Sequence, residues 1–254
     1  MASARAPDRT RPGGRRRARL ALAGLLGVAV LVFCGLGIWQ IERRAWKLDL
    51  IARVDARLRA APVPAPAPPE WAGLSEATGA YRRVTLAGRF IEAPPVLSLA
   101  VTEDGPGFWL LAPFRDQRGF TVLVNRGFVP QAQAAGLRSA PEQAARERRL
   151  SGLLRQSEPG GGFLRRNDPA GERWYSRDVA AIAQARGLGP VAPYFVDADA
   201  ASEPGPVPRG GLTVVAFRNS HLVYALTWFV LAAMSLWGAV FVWRGGGRGS
   251  SREA

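Results

Sequence analysis

The chain has 254 residues, 48% of them apolar, which is enough for one folded domain plus membrane anchors. Its formal charge of +14 raises nucleic acid as a partner, but the excess lies mainly in two short arginine-rich tails; no RNA-binding motif or aromatic-interleaved basic stripe lies between them, so nucleic acid is set aside. One histidine, one cysteine and one lysine leave no intramolecular disulfide, no CxxC site, no histidine-based hydrolase in the central domain, no zinc cluster and no multi-haem carrier.

Residues 1–19 read as a basic cytoplasmic tail, with arginines at 5, 9, 11, 15, 16, 17 and 19 against Asp8. Residues 20–41 carry no formal charge and read as a first transmembrane helix. At ~1.5 Å per residue such a run spans ~30 Å of hydrocarbon. It is too long for the apolar core of a signal peptide, and no small-x-small cleavage site follows it. The Arg15-Arg16 pair belongs to the basic flank rather than to a twin-arginine signal. Cys34, inside this run, reads as a small packing residue. Helical spacing continues through 42–60, where Ala45, Leu48, Ala52 and Leu58 extend one side and Asp49 and Arg53 stand four apart. Residues 61–72, opening on Pro62-Val63-Pro64-Ala65-Pro66-Ala67-Pro68-Pro69, read as a stiff extended linker.

Residues 73–220 are the expected outer domain. Strands are predicted at 81–90, with Gly88 marking a bulge or close contact, and at 96–101. A hairpin follows at 108–114 and 120–128, in which Val122 and Val124 face opposite to Leu123, so both sides of that strand should be buried. Residues 131–149 are Ala-rich and polar, suited to an exposed helix. A strand is expected at 150–154, and Gly160-Gly161-Gly162 reads as a flexible connector because no Lys-Ser/Thr follows it. Ser176 is the expected cap of a short helix, with Asp178 in its first turn and Gly187 at its end. Short strands at 194–196 and 212–217 complete an α+β, barrel-like module that is mostly β with one short helix, hung between two membrane helices.

Residues 221–243 read as the second transmembrane helix, uncharged from Leu222 to Trp243. The only histidine, His221, lies at its entry. On a helix His221, Tyr224, Ala225 and Trp228 share a face. Two readings stand for that face: interface anchors with a capping histidine, or a ligand face presenting one imidazole. Arg218, Arg43 and Arg44 lie near the same surface and suit lipid phosphate or haem propionates. Met234 lies thirteen residues along the helix, roughly 20 Å away at ~1.5 Å per residue, too far to ligate an iron held by His221. Residues 244–254 form a second basic tail. Basic tails stay inside, so both termini are expected in the cytoplasm, with 73–220 on the outer side and against the bilayer.

Taken together, several blocks of the chain resemble the Surfeit locus protein 1 family, assembly factors of cytochrome c oxidase. The first is Leu36-Gly37-Ile38-Trp39-Gln40 with Arg43 and Trp46-Lys47. The next are Val84-Thr85-Leu86-Ala87-Gly88-Arg89-Phe90 and Val122-Leu123-Val124-Asn125-Arg126-Gly127-Phe128-Val129-Pro130. Asn167-Asp168-Pro169 with Trp174-Tyr175-Ser176-Arg177-Asp178 follows, and Asn219-Ser220-His221-Leu222-Val223-Tyr224-Ala225-Leu226-Thr227-Trp228-Phe229 is last. Phe128 stands where the family commonly has Trp, and Val223 where it has Gln or Gly.

The resemblance implies a two-pass protein of the bacterial inner membrane with a periplasmic central domain, which is not an enzyme. It implies help in inserting haem a into oxidase subunit I, with His221 as the iron ligand and Tyr224, Trp228 and Arg218 around the cofactor. Subunit I, a haem a synthase and membrane lipid are the partners it implies. The alternative is a scaffold that clasps subunit I without cofactor, with Asn125-Arg126-Gly127 as a structural turn or docking surface.

Overall fold

A computed structural model of the chain describes residues 12–138, 146–162, 164–212 and 219–244. The chain forms two compact units, one from its two ends, up to Ile51 and from Ala216, and one from Ala52–Val215.

The first unit holds one long helix and, as far as Ile51, most of another. The latter, α1, is continuous over Pro12–Arg59, and Pro62 follows shortly after its end. Arg57 and Arg59 lie in its last turn, where the helix dipole favours cations. The helix from His221 to Arg244 is uninterrupted and almost wholly apolar. Both are long and apolar enough to cross a membrane.

Among the described residues the second unit is built on nine strands. These are β1 (Val63–Pro64), β2 (Arg83–Phe90), β3 (Val96–Thr102), β4 (Gly105–Asp116), β5 (Thr121–Pro130), β6 (Arg148–Gln156), β7 (Gly161–Gly162), β8 (Arg165–Arg166) and β9 (Val191–Ala198). Helices α2 (Glu76–Gly79), α3 (Ala134–Arg138) and α4 (Val179–Arg186) lie between them, and α5 is His221–Arg244. Strands β2, β6, β9, β5 and β4 pair in that order, and β2 pairs again with β4, so five strands close a barrel. Closure needs Gly88, because a Cβ there would run into the Arg115 carbonyl. This is the close contact expected of that glycine. The expected fold class, two long apolar helices flanking a mostly β domain with short helices, is therefore the one observed.

Strand alternation explains the core. Leu110, Ala112, Phe114, Val122, Val124, Tyr194 and Val196 point into the barrel. Their neighbours Leu111, Leu123 and Phe195 point outward into a second core with Trp174, Val179 and Ile182 under α4. Burial on both sides of β5 is thus confirmed. Each buried Val, Leu, Ile or Phe among them contributes about 1.5–3 kcal/mol of transfer free energy. The Pro-rich segment is extended, and it is also packed. Pro64 pairs with Thr85, Ala65 is fully buried, and the Tyr194 hydroxyl donates to the Pro66 carbonyl at 2.7 Å.

Three local expectations change. The cap of α4 is Asp178, whose carboxylate accepts from the Ala181 N–H at 3.1 Å, while Ser176 accepts from the Asn167 amide at 3.0 Å. The cap moves because the helix starts two residues later than Ser176 would require; Gly187 ends it in the left-handed conformation, φ 61°, as expected. The triple glycine is no plain connector, since Gly161 and Gly162 pair with Arg166 and Arg165 in a hairpin. Residues 139–145 of the Ala-rich stretch lie outside the described residues; the described part forms a short helix, α3, whose Ala134 is buried against the barrel, and strand β6 takes up its end from Arg148. The strand expected at 212–217 lies, apart from Leu212, outside the described residues.

Candidate functional site

His221 is the first residue of α5 and is half-buried. Its Nδ1 lies 2.8 Å from Oε1 of Gln40, which α1 supplies from 181 residues earlier in the chain. Among the described residues its Nε2 has no hydrogen-bond partner.

The two helices pack along a seam that begins at this bond. Ala225 and Ala232, seven residues apart, are buried on α5, and Gly37 is buried on α1. Small residues let helix backbones approach closely. A Cβ on Gly37 would stand 2.7 Å from the Phe229 ring, so the glycine is the seat of that ring. Phe33 stacks on Trp228 with centroids 5.6 Å apart and planes at 25°. Further along, Gly238 faces Leu26.

The sequence-predicted residues therefore separate. His221 and Trp228 both turn onto α1, two turns apart. Tyr224, between them in sequence, sits at the edge of that face and is 54% exposed. Met234 is exposed as well. Arg218 lies outside the described residues. On α1, Arg43 is one turn beyond Gln40 and stacks on Trp46, 4.0 Å from the ring centroid. Gln40 is the residue that sequence reasoning passed over as a partner. Its signal was present: it is the one amide side chain in an uncharged run of membrane-spanning length, and a polar residue there needs a partner.

The barrel holds its own polar network. Register between β4 and β5 shifts at Leu110/Leu111, which leaves Arg126 as the extra residue of a β-bulge. The bulge aims Asn125 and Arg126 at different carboxylates. The Asn125 amide donates to Asp197 at 2.7 Å, and Arg126 grips Glu203 with two bonds of 2.7 and 2.8 Å. Gly127, at φ 137°, passes against the Arg209 carbonyl. Asn125-Arg126-Gly127 is thus a buried pin of the barrel and not a docking surface.

Asp197 also accepts from Arg155 at 3.1 Å and Arg177 at 3.4 Å, and Arg177 holds Glu158 with bonds of 3.0 and 2.5 Å. Burial raises the Glu158 pKa, but the Arg177 hydrogen bonds and charge outweigh it, and the carboxyl is held below its ordinary value. A cleft of about 510 Å³ opens beside this network, lined in part by Trp109, Glu103, Arg155 and Arg177. Both its arginines already face carboxylates, so the cleft offers an anionic ligand little. Among the described residues no group of three His, Cys, Asp or Glu side chains could hold a metal ion. The ligand chemistry on offer is a single imidazole, between two helices, with apolar and aromatic neighbours.

Comparison with known proteins bears on the whole of this arrangement. The family model described as the SURF1 family matches residues 27–233. Surfeit locus protein 1 of Mus musculus is 36% identical over 229 residues, covering 83% of this chain and 72% of that protein. The SURF1-like protein of Monosiga brevicollis is 37% identical over 243 residues, covering 91% and 90%. Surfeit locus protein 1 of Homo sapiens is 36% identical over 233 residues, covering 84% and 75%.

Proposed function

Because the chain belongs to the SURF1 family, known for cytochrome c oxidase assembly factors, we propose that it binds haem a in the inner membrane of a bacterial cell and helps insert it into oxidase subunit I. The protein acts as a carrier and not as an enzyme. Its helices cross the membrane twice, both termini lie in the cytoplasm and the barrel lies in the periplasm. A haem a synthase is a further partner on the supply side.

The observation that carries this reading is the state of His221. One ring nitrogen is held by Gln40, and the other has no partner among the described residues. A single histidine can hold haem iron, so the donor set fits a cofactor carried with one protein ligand from this chain. Tyr224, one turn along α5, offers aromatic surface near it, Trp228 lies two turns away against Phe33, and Arg43 lies at a level that suits a propionate. Haem a, when bound, is cargo. The protein's share is to hold it with a nitrogen ligand and release it, and an incomplete ligand set suits release.

The test is the visible spectrum of the full chain, purified from membranes that make haem a, beside His221→Ala. The expected result is a haem a band that the variant loses or shifts. An identical spectrum in a folded variant would refute the ligand role.

A second reading has an observation in its favour. His221 and Trp228 both contact α1, so their residue types also serve helix pairing alone. On that reading the protein is a scaffold for subunit I. Co-purification of subunit I with the chain, with haem in neither wild type nor variant, would favour it. Loss of oxidase activity separates nothing, since both readings predict it.

A further inference from the structure

We infer that Gln40 is a positioning residue that fixes which nitrogen of His221 is presented as the ligand. The inference rests on the proposed ligand role of His221 and deepens it.

A glutamine amide inside a membrane span is costly unless it is hydrogen-bonded. Gln40 Oε1 meets this need by facing His221 Nδ1 at 2.8 Å. A carbonyl oxygen only accepts, so the ring atom opposite it must donate. Nδ1 therefore carries the proton. In a neutral imidazole Nε2 then carries the lone pair, and Nε2 is the atom without a partner among the described residues. A histidine side chain free in water prefers the opposite arrangement, with the proton on Nε2. Without Gln40 the ring would spend most of its time with a proton where a metal must bind.

The same bond fixes the plane of the ring. Ligating histidines typically donate their second N–H to a carbonyl or carboxylate, which orients the ring and raises its basicity. Gln40 stands in that relation to His221. The seam supports it: the Phe229 ring, two turns along α5, is seated on Gly37, one turn from Gln40, and holds the two helices close along this stretch.

Because His221 is the only histidine in the chain, labelling with 15N-histidine gives one imidazole, readable by NMR in the full chain in nanodiscs without any cofactor. The expected result is a proton on Nδ1 in the wild type and a shift toward the Nε2-protonated form in Gln40→Leu. Leucine keeps the helix and the apolar span, so the variant should fold. In protein from haem a-producing membranes, Gln40→Leu should weaken haem a binding about 10–100-fold. Gln40→Glu should restore binding and lower the midpoint potential, because a carboxylate draws the Nδ1 proton more strongly; a helix contact with no role toward the ligand would leave the potential unmoved.

A wild-type ring protonated on Nε2, or a pattern unchanged in Gln40→Leu, would overturn the inference. Haem bound to the wild type, with affinity and potential the same in both variants, would also overturn it. The expected NMR pattern in a wild type that takes up no haem would instead sink the ligand role of His221 and leave the Gln40 control of the proton standing.

Discussion

Asp116 shows how a single buried carboxylate is kept ionised in the barrel. Its side chain is 1% exposed. It accepts from Arg118 Nε at 2.7 Å and from the backbone N–H of Arg118 at 3.0 Å and of Ala87 at 3.3 Å. Burial alone would raise its pKa, but these bonds win and hold it below the ordinary 3.8. The unfolded chain therefore takes up this proton first as pH falls. The stability that Asp116 contributes is fully present above 3.8 and is lost as pH drops through its lower folded value. Asp116→Asn should cost roughly 1–3 kcal/mol at neutral pH, by leaving Arg118 without its carboxylate. It should also flatten the acid limb of a stability-against-pH curve measured by unfolding in detergent. An acid limb as steep as in the wild type would show that other carboxylates carry it.

At the scale of elements, the informative pair is α1 with α5. Hydropathy alone makes each of them long and apolar enough to cross a membrane and says nothing of which faces meet. The seam is decided by Gly37, Ala225 and Ala232, which are small, and by Phe229, which needs the space that Gly37 leaves. Gly37→Leu should drive the helices apart at a cost of about 1–3 kcal/mol for overpacking. The bond between Gln40 and His221 should break with them, so the 15N-imidazole signal should move as in Gln40→Leu. Gly35→Leu is the control, since nothing lies within 4 Å of a Cβ placed there. Equal behaviour of the two variants would mean that the seam does not set the geometry of His221.

For the whole molecule, the decisive features are tethering and charge. The barrel is joined in sequence to a long apolar helix at either end, and arginines cluster at the far end of each apolar run, in residues 1–19 and 244–254. Basic flanks resist translocation, and the expected topology therefore has the barrel on the opposite side of the membrane from both tails. Val101, at the end of β3, is 81% exposed and so available as a label site. In a Cys34→Ala background, Val101→Cys should react with a membrane-impermeant maleimide in intact spheroplasts. Reaction only after lysis would reverse the topology and put His221 at the cytoplasmic surface.

Features set by neighbouring residues were legible in the linear chain. Run length and charge marked the two apolar helices. The two-residue alternation around Leu123 marked a strand buried on both faces, and Gly187 marked the end of α4. The uniqueness of His221 singled it out. Tertiary structure alone decided what depends on distant parts of the chain returning to each other: the β2–β4 pairing that closes the barrel, the bulge that turns Asn125-Arg126-Gly127 into a buried pin, and the meeting of Gln40 with His221 across 181 residues. Even the α4 cap belongs to this second group, because Ser176 is engaged by Asn167 and the helix begins after Asp178. Propensity and periodicity act over one or two turns. A hydrogen bond between two helices is set by the packing of their small residues, and a linear pattern carries no record of which face of one will lie against the other.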